Sequence, residues 1–147
     1  MKKVIAIIMG IFVHASLSAQ SVDKMDLYVS REVGAETPFD INHTYFDRGA
    51  LGGIDTVVVK EQDSILALKK TMDSLIEFTD WKVKSQDTRG KVVFYQNEQR
   101  VDSVYFCMFY LFKDSTYYRL SPQFKKMIND IYYKRKGIRP YGYPPRK

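Results

Sequence analysis

The sequence predicts an α+β fold: an antiparallel sheet, a four-strand meander plus one or two further strands, with two helices packed on one face. Three observations predict it. Two segments repeat apolar residues at spacings of three and four. The chain between them alternates at period two. The links between those alternating runs are short, which favours hairpins over crossovers.

In chain order, the first element is not part of the fold. Lys2 and Lys3 form a positive head, Val4–Val13 is an apolar run, and His14–Gln20 supplies small residues. That is the three-part pattern of a secretory signal peptide. The run is also well short of the roughly 20 apolar residues a membrane helix needs. Cleavage is expected after Ala19, with Ser18 as the alternative. The expected organisation is a signal peptide over 1–19, a single α+β domain over 20–138 and a basic Pro/Tyr-rich tail over 139–147. Export would place a soluble protein in the periplasm or outside the cell. No cysteine follows the apolar run, so no lipid anchor is expected there.

Met25–Val33 is a weak strand candidate. Gly34–Gly53 has no clear period and reads as a long loop. Asp55–Lys60, "DTVVVK", is a strand that leads into a helix over Asp63–Phe78, with Asp63 as N-cap and Ile65, Leu68, Met72, Leu75 and Ile76 as its stripe. "WKVKS" at Trp81–Ser85 alternates, and Asp87–Gly90 reads as a turn. Lys91–Gln96 is the next strand, and Asn97–Gln99 breaks the run. The strand after it carries "VYFCMFYLF", Val104–Phe112, which is apolar on both faces and is expected to be one central strand. Lys113–Ser115 turns again, and Thr116–Leu120 is the last strand. The closing helix is Pro122–Lys136. Ser121 caps it, Pro122 begins it, Phe124, Met127, Ile128 and Ile131 form its stripe, and Gly137 ends it.

The chain has 23 Lys and Arg against 17 Asp and Glu. Without Lys2, Lys3 and the basic residues from Lys134 onward, the remaining body is slightly acidic. A nucleic-acid surface calls for a basic patch on the folded domain, so that class of partner is disfavoured. Cys107 is the only cysteine, which excludes a disulfide framework within the chain. It lies among aromatics and reads as a small buried hydrophobe rather than a nucleophile.

No phosphate-cradling glycine motif and no nucleophile elbow occur. No metal site and no cofactor are expected. Asp40, His43 and Asp47 in "DINHTYFD" are the only candidate catalytic group, acting as acid and base in a small hydrolase-like enzyme if the fold gathers them. The favoured reading is a non-enzymatic binding or interaction module of the cell envelope. Its candidate binding residues are Lys134, Arg135, Lys136, Arg139, Tyr141, Tyr143, Arg146 and Lys147, which combine positive charge with aromatic rings. The partner expected is a protein or an anionic envelope surface.

The segments "TVVVKEQDSILALKK", "RGKVVFYQNEQRVDSVYF" and "YYRLSPQFKKMI" follow the order strand, amphipathic helix, short antiparallel strands, closing helix. This order resembles small exported α+β proteins of Bacteroidetes, over roughly Asp55–Tyr133. The resemblance implies the fold and the export. Many such proteins are lipid-anchored, and this chain departs from them in lacking the anchoring cysteine. The family has no assigned activity, so the resemblance transfers no functional residue.

Overall fold

A computed structural model describes residues 21–31, 42–49, 53–79 and 87–137. The signal-peptide segment, Asp40, Trp81–Ser85 and the tail residues Arg139, Tyr141, Tyr143, Arg146 and Lys147 lie outside the described residues. The fold is α+β, an open six-stranded antiparallel sheet with three helices.

The strands are β1 (Lys24–Ser30), β2 (Ile54–Val59), β3 (Gly90–Gln96), β4 (Gln99–Phe106), β5 (Tyr110–Lys113) and β6 (Thr116–Arg119). The helices are α1 (His43–Asp47), α2 (Gln62–Met72) and α3 (Pro122–Lys136). The order across the sheet is β2-β1-β3-β4-β5-β6. The meander is therefore β3 to β6, and the weak candidate β1 is an interior strand between β2 and β3.

Side chains alternate across a strand, so the register assigns each residue to a face. The first face carries Val57 and Val59 of β2, Met25, Leu27 and Val29 of β1, Val92 and Phe94 of β3, Val104 and Phe106 of β4 and Leu111 of β5. All ten are buried, and they form one cluster with Ile65 and Leu68 of α2 and Phe124, Ile128 and Tyr132 of α3. Burial of this apolar surface is the main driving force for the fold.

α3 follows its sequence signals. Ser121 Oγ accepts from the Phe124 amide at 3.1 Å, Pro122 opens the helix, and Gly137 closes it at φ 73°. Phe124, Ile128 and Tyr132, spaced by four, are its buried residues. Tyr132 keeps its hydroxyl satisfied inside the core by donating to Asp55 Oδ2 at 2.8 Å.

Four local expectations are corrected. "VYFCMFYLF" is not one strand: it is the end of β4, a turn and the start of β5. Phe106 pairs with Leu111, the Cys107 amide donates to the Tyr110 carbonyl at 2.9 Å, and Phe109 sits exposed at the tip. The Cys107 Sγ accepts from the amides of Phe109 (3.4 Å) and Tyr110 (3.1 Å). The thiol sulfur thus does for this turn what an Asn or Ser oxygen does for a conventional one. The other two hairpins turn on pairs with positive φ, Asn97–Glu98 and Asp114–Ser115, where Asn and Asp tolerate the left-handed region.

Second, the helix expected to run to Phe78 ends at Met72, and its N-cap is Glu61, not Asp63. Residues 76–78 leave the helical path and run beside β6. The Phe78 amide donates to the Tyr117 carbonyl at 2.8 Å, and the Arg119 amide to the Ile76 carbonyl at 2.9 Å. These bonds satisfy edge groups that would otherwise face water or another chain. Third, Asp87–Gly90 is not a turn. The Arg89 amide donates to the Phe106 carbonyl at 2.8 Å, and the Arg89 carbonyl accepts from the Ser30 amide, so Arg89 continues the pairing of β3 with both of its neighbours. Fourth, the segment read as a structureless loop contains α1. Asn42 caps it, its Oδ1 accepting from the Tyr45 amide at 2.9 Å.

Candidate functional site

The second face of the sheet is where chemistry-bearing side chains gather. One row crosses all six strands in register: Thr56, Tyr28, Lys91, Tyr105, Phe112 and Tyr117. The aromatic residues of this row are covered by α1. Phe46 is buried, and the His43 ring stacks on Phe112 with centroids 5.0 Å apart and lies 5.5 Å from Tyr105. The ring of Tyr117 lies 4.9 Å from Phe112 and extends the aromatic layer to the β6 edge.

Asp47 fastens α1 to the sheet. It accepts from Tyr105 Oη at 2.6 Å and from Lys91 Nζ at 2.9 Å. Lys91 Nζ also lies 4.6 Å from the centre of the Tyr105 ring, a cation–π distance. Burial disfavours the Asp47 charge, but these hydrogen bonds and the Lys91 charge outweigh it, and the carboxyl lies below its ordinary value. Burial, with the hydrogen bond to Asp47, pushes the Tyr105 hydroxyl up.

α1 covers the β4–β6 part of this face and leaves a cleft over β1–β4. The cleft holds about 370 Å³ and is lined by Tyr28, Phe46, Asp47, Ile54, Thr56, Lys91, Val93, Tyr95 and Arg100. Behind the lining residue Tyr28 lies a buried acid. Asp26 lies on this face between Val58 and Val93 and is 8% exposed. The Asp26 Oδ2 accepts a long bond from Tyr28 Oη at 3.4 Å, and its Oδ1 has no hydrogen-bond partner among the described residues. Burial, hydrogen bonding with Tyr95 and the Asp26 charge hold the Tyr28 hydroxyl far above its usual range. Lys24 stands two residues away with its Nζ 4.2 Å from the Tyr95 ring centre and paired with Glu98.

Arg100 reaches the cleft through an irregularity. Phe94 pairs with Asp102 but Tyr95 pairs with Arg100, so the register shifts by one residue between them. In a regular ladder Arg100 would share the first face with Asp102, Val104 and Phe106. The bulge carries it to the Tyr95 side, which is a recurrent way of re-aiming a side chain. Nothing in the β3–β4 sequence signals that shift.

Of the candidate catalytic group, His43 and Asp47 are one turn apart on α1 and both meet Tyr105, and no hydrogen bond joins them to each other. Asp40 lies outside the described residues. Among the described residues no three His, Cys, Asp or Glu side chains gather as a metal site. Cys107 is buried, and burial pushes its thiol up. Of the candidate binding residues, Lys134, Arg135 and Lys136 form the last turn of α3. Arg135 is paired with Glu61, which ties that turn back to the start of α2. No helix among the described residues is long and apolar enough to cross a membrane.

No protein-family model, no curated protein and no solved structure matches the chain.

Proposed function

We propose that this is an exported, non-enzymatic binding module of the cell envelope, and that the second sheet face is its binding surface. The N-terminal basic, apolar and small-residue pattern supports export, as does the resemblance to small exported Bacteroidetes proteins. The observation that carries the binding reading is the cleft beside α1. Sites for ligands are concave, with apolar and aromatic walls and a few placed polar groups, and the cleft combines Phe46, Ile54, Val93, Tyr28 and Tyr95 with Lys91, Arg100 and Asp47. The polar groups of α1 are spent on holding α1 in place: Asp47 is bound by Tyr105 and Lys91, and His43 is stacked on Phe112. That occupation favours a structural role for them over acid–base work.

The test is native mass spectrometry of the protein isolated from the envelope fraction, which reads a bound protein and a bound small molecule alike. Wild-type protein is expected to carry an added mass that Thr56→Trp, which fills the cleft from an exposed lining position, does not. Equal added mass in both proteins, or none in either, contradicts the reading, as does recovery of the chain with its N-terminus intact in the cytoplasm.

A further inference from the structure

We propose that the cleft takes a small amphipathic organic anion, with a flat apolar body and one acidic head. This rests on the reading of the second face as the binding surface, and names the chemistry that surface selects. Three features point to it. The first is size: about 370 Å³ falls at the low end of the roughly 300–1,000 Å³ typical of small-molecule sites. The second is the wall. Phe46, Ile54 and Val93 are apolar, and Tyr28 and Tyr95 present rings, so a flat apolar body finds surface on several sides.

The third is charge. Two cations line the cleft, and they differ. Lys91 is neutralised by Asp47 at 2.9 Å. Arg100 donates to Ser103 Oγ and makes no ion pair among the described residues. A guanidinium offers a planar fork of donors that matches a carboxylate, sulfonate or phosphate. The bulge between Phe94 and Tyr95 is what places this fork on the cleft side. At the β1 side the lining Tyr28 donates to the Asp26 carboxyl buried behind it, an acid that disfavours further negative charge nearby, so the head is directed toward Arg100 and the body toward Phe46 and Ile54.

The test uses two fluorescent probes that share an aromatic body and differ in charge: 8-anilinonaphthalene-1-sulfonate and the neutral N-phenyl-1-naphthylamine. Binding is measured for wild type, Arg100→Gln and Thr56→Trp. The sulfonate is expected to bind wild type about tenfold or more tightly than the neutral probe, the scale of one charged hydrogen-bonding contact. Arg100→Gln is expected to bring the sulfonate to the affinity of the neutral probe and leave the latter unchanged, and Thr56→Trp to remove both. Raising the salt concentration on wild type alone gives an independent reading: only the sulfonate weakens. Equal binding of the two probes, with no salt dependence, overturns the anion assignment, while loss of both in Thr56→Trp would still leave the cleft as a binding surface. Probe binding that Thr56→Trp does not change overturns the assignment and the location together.

Discussion

Replacing Gly90 by alanine tests the packing of the sheet at its tightest point. Gly90 is buried and sits opposite Phe106 across β3–β4 and opposite Val29 across β1–β3. A Cβ added there would lie 2.0 Å from Phe106 Cζ, 2.4 Å from its Cε2 and 2.6 Å from the Tyr28 carbonyl oxygen. The ring could move, but it is held edge-on against Phe124, with centroids 6.0 Å apart, and swinging it away gives up that contact. The carbonyl oxygen belongs to the interior strand β1 and cannot move without disturbing the β1–β3 ladder. Overpacking a core usually costs about 1–3 kcal/mol, and with one obstacle made of backbone the expected cost is at the upper end, about 3 kcal/mol. The readout is urea unfolding. With a slope of roughly 1–3 kcal/mol per molar, the midpoint should fall by about 1–3 M at unchanged slope. A double-mutant cycle sharpens the test. Phe106→Ala alone should cost about 3–5 kcal/mol, and Gly90→Ala added to it should cost about 1–2 kcal/mol less than it does in wild type, since most of the clash is with the ring. A Gly90→Ala protein within about 0.5 kcal/mol of wild type, or strict additivity in the cycle, refutes the packing described for β3 and β4.

Three further outcomes are expected. Cys107→Ala, which removes the acceptor for two amides in the β4–β5 turn, should lower stability by about 1–2 kcal/mol, with Cys107→Ser losing less, and the native thiol should react slowly with iodoacetamide because burial raises its pKa; rapid labelling of the folded protein contradicts the buried turn. Asp55 is held below the ordinary aspartate value of 3.8 by the Tyr132 hydroxyl and by Arg31. A depressed carboxyl adds stability that is present above its unfolded value and lost as pH falls through the folded one, so unfolding free energy should drop below about pH 4 and Asp55→Asn should flatten that drop; identical acid profiles in the two proteins rule the linkage out. Ile128→Asp places an unpaired charge in the centre of the core cluster and should cost several kcal/mol, read as a lowered melting temperature; unchanged melting would show that α3 does not pack as described.

Much of the fold is legible in the sequence where several signals agree. α3 has a cap, a first-position proline, a stripe and a terminal glycine, and each is used as the residues suggest. Tyr132 does not show in the apolar stripe because a hydroxyl reads as polar, and the partner Asp55, 77 residues away, makes its burial acceptable. The strand at Val104–Phe112 misled for the opposite reason. No glycine, proline, asparagine or aspartate marks the turn, and the residue that supports it is a cysteine whose neighbours are all apolar. The spacing extends α2 too far because Leu75 and Ile76 continue the helical period, while the residues beyond it are held by a non-local contact, the pairing of 76–78 with β6.

The candidate site was less legible, since its position depends on long-range pairing. His43 and Asp47 stand out in the sequence as acid and base candidates in one short stretch, and their partners Phe112, Tyr105 and Lys91 lie in distant strands. Arg100 enters the cleft through a register shift that leaves no mark in composition or period. The alternation of β1 did contain one usable hint. Asp26 interrupts an otherwise apolar run, and an acid in an interior strand needs an explanation that a surface acid does not.

Binding at the proposed surface, the second sheet face beside α1, can be read residue by residue. Amide chemical-shift mapping of the ¹⁵N-labelled protein, titrated with 8-anilinonaphthalene-1-sulfonate and then with envelope extract, tests it most directly. Both additions are expected to shift Tyr28, Thr56, Val93, Tyr95 and Arg100, and to leave Leu68, Phe124 and Ile128 in place. Shifts confined to Lys134, Arg135 and Lys136 at the end of α3, with the cleft residues unmoved, would contradict it.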